Sequence, residues 1–167
     1  MFGNCYHYAL ETFFDLHSGL SSGTVTVGNT WGAFETGDGG PAQFTLPQLG
    51  DSPRLVHGFV LGDSGALKDR KFGHAWLEGN GFVVDCGSAQ KEHSLVLREE
   101  FYQFWRINPA ECHYYTIQQA TEHLLRTGSI SGWHPAPADA IVVEIRNMPA
   151  AGQSYPLPDT SRPPLRV

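Results

Sequence analysis

FGHAWLEGNGFVVDC, running from Phe72 to Cys86, is the stretch whose reading decides the fold. Asn80-Gly81 lies between two apolar runs, and it signals a tight β-hairpin because a type I′ turn needs positive φ at both central residues. A two-residue loop at that point pairs Gly79 with Phe82 and Trp76 with Asp85. Side chains alternate along a strand, so His74, Trp76 and Asp85 then share one face, with His74 diagonal to Asp85 at about 7–8 Å by backbone position. A four-residue loop would set His74 directly opposite Asp85. A three-residue loop would put the two on opposite faces.

Around this hairpin, a chain of 167 residues is long enough for one domain with its own core. It is 41% hydrophobic and 12% aromatic, which marks it as globular rather than disordered. Charged residues make up 17%, the net charge is −6 and Lys and Arg do not cluster, which argues against nucleic-acid and anionic-membrane partners. No apolar run approaches the length of a membrane-spanning helix, and no secretory signal is recognisable. The 3 cysteines, Cys5, Cys86 and Cys112, cannot all pair and form no CxxC, so a reduced, cytoplasmic setting is expected.

Upstream of the hairpin, Asn4 is a good helix cap and places Cys5 at the first helical position. Tyr6, Ala9, Leu10, Phe13 and His17 recur at helical spacing and predict the buried stripe, with Ser18-Gly19 as the stop. From Ser21 to Pro53 the chain is rich in Gly, Ser, Thr and Pro and predicts a long irregular connection with short extended pieces such as Gly23–Val27, pinned by Trp31 and Phe34. Arg54–Leu61 reads as a strand, and the hairpin strands as Lys71–Gly79 and Phe82–Gly87. Downstream, Leu95–Trp105 is expected to be a helix. So is Tyr115–Thr127, with Thr116 as cap, Ile117, Ala120, Leu124 and Leu125 as apolar stripe, and Gly128 as stop. Ala140–Ile145 reads as a strand, and the Pro-rich residues after it as an extended tail. Helices with a mainly antiparallel sheet make the class α+β, with one domain over residues 1–147 and a tail over 148–167.

Chemistry enters through three residues. A thiol hydrolase needs a thiolate, an imidazole to exchange protons with it, and a group that fixes the imidazole's tautomer. Cys5 at a helix start faces free N–H groups and the positive end of the dipole, which lower a thiol pKa and suit an oxyanion. His74 supplies the imidazole if that helix end packs on the hairpin, Asp85 supplies the third group, and Trp76 shields the pair from water. Each residue alone has a plainer reading, as a buried small side chain, a structural strand histidine and a strand-end carboxylate. Their conjunction carries the idea.

The same residues resemble the papain-like and transglutaminase-like superfamily of cysteine enzymes. Gly3-Asn4-Cys5-Tyr6-His7-Tyr8-Ala9 is similar to the block that opens its nucleophile helix. His74-Ala75-Trp76-Leu77-Glu78 is similar to its His-Ala-Trp-x-Glu strand, and Val83-Val84-Asp85 to its apolar-x-Asp strand. The resemblance implies a papain-like/transglutaminase-like fold, with the nucleophile on an N-terminal helix packed against an antiparallel sheet. It also implies acyl transfer through a Cys thioester, with Cys5 as nucleophile, His74 as acid and base and Asp85 as orienting residue. With Cys5 so near the start, nothing matches an upstream oxyanion glutamine. Asn4, Gln90 or a backbone N–H would substitute, and Trp76 would stand beside them at the substrate. Cys86 follows Asp85 where many relatives carry another residue, and it should point into the core on the opposite face.

Two rivals stand beside this reading. A metal site could draw on Cys5, His7, His57, His74, Cys86, Cys112 and His113, yet no zinc-ligand spacing is followed by a second pair. A non-catalytic protein-binding module on the same fold is the other, because fold does not fix function. The expectation is a thiol hydrolase acting on an amide of a protein or peptide substrate, of peptidase, amidase or glutamine-deamidase type. No metal and no cofactor are expected. An amine-accepting acyltransferase is the alternative chemistry, and the oligomeric state is open.

Overall fold

Asn80 and Gly81 both adopt positive φ, 50° and 81°, and the strands they join pair Gly79 with Phe82 and Trp76 with Asp85. The two-residue turn therefore sets the register, and His74, Trp76 and Asp85 fall on one face as the sequence predicts. In the computed structural model the described residues are 5–18, 24–30, 42–45, 49, 52–63, 65–86 and 93–141. Their strands are β1 Thr24–Thr30, β2 Ala42–Thr45, β3 Arg54–Leu61, β4 Lys71–Gly79, β5 Phe82–Asp85, β6 His93–Leu97, β7 His113–Tyr115 and β8 Ala140–Ile141. The helices are α1 Cys5–Ser18, α2 Arg98–Phe104 and α3 Ile117–Thr127.

The strands form one open sheet in the order β2-β1-β6-β5-β4-β3-β7, with β8 added to β4. Neighbours are antiparallel except β1 with β6 and β4 with β8. The class is α+β. Alternation along β4 divides the core in two. Ala75 and Leu77 face α1, where they meet Ala9, Leu10, Phe13, Val84 and Leu95. Trp76 faces the other way and packs with Val56, Val83, Val96 and Phe101 of α2. Phe13 is wholly buried, which contributes about 1.5–3 kcal/mol for a side chain of that size.

Helix ends follow local chemistry. The Thr116 hydroxyl accepts from the Gln119 N–H at 3.1 Å, and the Gln119 side chain accepts from the Thr116 N–H at 2.9 Å, a reciprocal capping box. Gly128 closes α3 in the left-handed conformation, and its N–H donates to the Leu124 carbonyl at 2.8 Å. Tyr115 belongs to β7, so α3 begins two residues later than the apolar pattern implies.

Several expectations are corrected. Leu95–Leu97 is not helical but the end of β6. Leu95 and Val96 are buried in opposite halves of the core, which only an extended chain covered on both faces allows. His17 is exposed and Leu16 takes the buried place, while His17 Nδ1 donates to the Phe13 carbonyl at 2.8 Å. Leu125 is 81% exposed, since Ala120, Ile117 and Leu124 already complete the face that α3 turns to the core. Within Ser21–Pro53 the extended piece expected at Gly23–Val27 is met by β1, which runs on to Thr30, and β2 is a second. Asn4, Trp31, Phe34, Gln90, residues 142–145 of the last expected strand and the Pro-rich tail lie outside the described residues. Among the described residues no helix is long and apolar enough to cross a membrane.

Gly58 of β3 shows how tightly the α2 side is filled. A β-carbon there would run into the Trp76 ring and come within 3.0 Å of Cys112 Sγ. Gly58→Ala should therefore cost about 1–3 kcal/mol through overpacking, read as a lower denaturant midpoint at unchanged m-value.

Candidate functional site

A break in one edge of β4 builds the site. One edge is paired with β3 along its length. On the other, β5 covers Trp76 to Gly79 and β8 covers Lys71 and Phe72. Among the described residues Gly73, His74 and Ala75 have no strand partner on that side. The N-terminus of α1 fills the gap, and the Ala75 N–H donates to the Cys5 sulfur. His74 points to the α2 side and α1 lies on the opposite face, so the gap is what lets the thiol and the imidazole meet. Gly73 belongs to the same fit, because a β-carbon on it would stand 2.5 Å from the Tyr6 hydroxyl.

His74 Nε2 lies 2.9 Å from Asp85 Oδ1 and donates to it. That bond leaves Nδ1 as the ring nitrogen for Cys5, which also forms a side-chain hydrogen bond with His74. Asp85 is the last residue of β5 and pairs with Trp76, so the turn at Asn80-Gly81 delivers the carboxylate to the histidine. Cys5, His74 and Asp85 thus converge as the sequence predicts. Cys86 points away into the α1-side core beside Thr12, also as predicted, and burial pushes its thiol far above the ordinary range.

The electrostatics favour charge separation. Burial raises the Cys5 thiol pKa, but the His74 cation, its hydrogen bond and the Ala75 N–H together bring it below the ordinary value. Burial likewise opposes charge on His74, yet Asp85 and the Cys5 thiolate hold its pKa well above the usual imidazole range. The two groups stabilise each other as thiolate and imidazolium. The first turn of α1 carries no acidic side chain to oppose its dipole.

Trp76 takes the shielding place expected of it beside His74, but not the one expected at the substrate. It is wholly buried, so it cannot line a substrate site. Its ring stacks on His74 at 5.9 Å, backing the imidazole against water. The indole is fixed in turn by Glu78, which accepts from Trp76 Nε1 at 2.8 Å, from Arg98 Nε at 2.9 Å and from the Tyr102 hydroxyl. Trp105 was expected only as the last residue of a helix. It follows α2, and its ring stands 6.4 Å from that of His74, so a second indole lies near the imidazole. No local pattern announces this, because it depends on where α2 docks. Asn4 and Gln90 lie outside the described residues. Among the described residues no group of His, Cys, Asp and Glu is arranged to hold a metal ion.

Compared with family models, curated proteins and solved structures, the chain matches none.

If His74 sets the Cys5 ionisation, iodoacetamide should alkylate Cys5 at pH values well below the thiol reference of about 8.5. His74→Ala should move that midpoint upward, because burial would then act unopposed by the cation. Mass spectrometry across pH measures both, with Cys112, whose thiol burial pushes up to about 11, as an internal slow reference.

Proposed function

We propose that this protein is a cysteine hydrolase that cleaves an amide of a protein or peptide through a thioester on Cys5. The observation that carries the reading is the chain of contacts from the Cys5 thiol to His74 and from His74 to Asp85 at 2.9 Å, set at a helix N-terminus. The similarity of the residue pattern to papain-like and transglutaminase-like enzymes supports the same chemistry.

In this reading the Cys5 thiolate attacks the amide carbonyl, a C–S bond forms, and the carbonyl oxygen takes the negative charge beside the first N–H groups of α1. His74 gives its proton to the leaving nitrogen, the C–N bond breaks, and an amine or ammonia departs. Water then loses a proton to His74 and attacks the thioester, releasing the carboxylic acid and regenerating thiolate and imidazolium. If an amine takes the place of water, the product is a new amide. Asp85 holds the tautomer that presents Nδ1 to the sulfur and steadies the imidazolium.

The sign of the pH dependence follows from the two shifts. Activity should rise as Cys5 loses its proton below the ordinary thiol range and fall as His74 loses its proton above the usual imidazole range, giving a bell. Cys5→Ala should abolish turnover with the fold kept, and retained turnover would sink the assignment. Asp85→Asn should slow acylation on the order of 10²-fold, measured by single-turnover release of the leaving group from a peptide amide library.

A further inference from the structure

On the α1 face of the sheet lies a second histidine group that the proposed chemistry does not use. His57 of β3 is wholly buried, and among the described residues neither of its ring nitrogens has a hydrogen-bond partner. An aromatic box encloses it. Tyr6 of α1 meets it edge-on at 4.7 Å, Tyr115 of β7 at 5.1 Å, and Trp133 covers it at 4.6 Å. Three further histidines crowd the same box. His134 lies 5.9 Å from His57, His113 of β7 stacks on His134 at 3.7 Å, and His123 of α3 stacks on Trp133 at 5.0 Å. Tyr115 and His134 Nδ1 share a hydrogen bond of 3.1 Å.

This arrangement disfavours charge on His57 and on His134. Among the described residues a charged His57 would have no partner for either N–H, and the charges that act on it come from His134, His113 and His123, all of its own sign. Its pKa accordingly lies well below the ordinary range through burial first and those neighbours second, and that of His134 falls to about 4 for the same reasons. The residues that close the box, Trp133 and His134, stand on the irregular segment between Gly128 and β8. That segment carries local bonds such as Trp133 Nε1 to the Ser129 carbonyl at 2.6 Å, and outside the box it is tied to β4 by Asp139 and Lys71 at 2.9 Å.

We propose that the histidine box is a proton-operated latch: neutral, it seals the segment around Trp133 and His134 over β3, and protonation of His57 and His134 releases it. The sign follows from linkage. A histidine whose pKa is depressed in the closed form is protonated first in the open form, so closure is fully favoured above about 6.5 and weakens as pH falls towards the closed-form value. Each such histidine shifts the opening equilibrium by up to about tenfold per pH unit within that window. Tyr6, next to Cys5, shares the box, so release would also loosen the first turn of α1. The latch stands or fails independently of any chemistry at Cys5.

The test is a pH titration from 7 to 4 of the whole chain labelled with 5-fluorotryptophan, followed by fluorine NMR, with the Trp133 resonance identified by Trp133→Phe. The expected result is that Trp133 moves to a solvent-exposed shift while the buried Trp76 stays constant. In His57→Phe, which keeps a ring but cannot take a proton, the Trp133 transition should move to lower pH or vanish. His134→Phe should act in the same direction and serves if the first variant does not fold. A Trp133 resonance constant down to pH 4, one that moves only together with Trp76, or a transition unchanged in the folded variants would overturn the latch.

Discussion

Among the described residues Gly73, His74 and Ala75 have no strand partner between β5 and β8, and the candidate site depends on that gap. A sheet normally satisfies its backbone donors with another strand, and a buried N–H without a partner is costly. Here the Ala75 N–H is answered by a sulfur. The same contact that satisfies the backbone thereby stabilises the thiolate, and it fixes where the first turn of α1 must lie. Sheet pairing, helix docking and thiol ionisation are one constraint seen from three sides.

The sheet separates two kinds of histidine. On the α2 side, His74 faces a carboxylate and a thiolate, and its proton is retained. On the α1 side, His57 faces rings and other histidines, and its proton is excluded. Both are buried in the same sheet, His74 pairs with Gly58, and His57 pairs with Ala75, so they are near neighbours across two strands. What distinguishes them is the sign of the charge each meets, not the depth at which it lies.

Much of this was legible in the sequence where the determinants are local. Asn80-Gly81 specified its own turn, and with it the face shared by His74 and Asp85. Thr116 with Gln119, and Gly128, marked the ends of α3 through side-chain and backbone chemistry confined to a few residues. The start of α1 at Cys5 was equally readable. What failed depended on partners far along the chain. The end of β6 was hidden inside an expected helix because Leu95 and Val96 are both apolar, and only burial on two faces separates that pattern from a helical one. The second indole beside His74 and the rings around His57 come from segments after α2 and α3, whose docking no local spacing encodes. Trp76 was placed on the right face, but its depth was not, since that is set by α2 and by the Glu78 network.

The exposed turn at Asn80 and Gly81 lies at the opposite end of the hairpin from His74 and Asp85. Cutting the chain there would leave β4 paired with β3 and β5 paired with β6, each strand keeping a neighbour on its own side of the cut. The two halves would still interlock, because β1 with β6, β3 with β7, and β4 with both β5 and β8 all join residues before the cut to residues after it. Exposed turn tips are the places where chains tolerate interruption. The thiol and imidazole would then reside on one fragment and the carboxylate on the other, so that reassembly of the sheet becomes the condition for the site to exist.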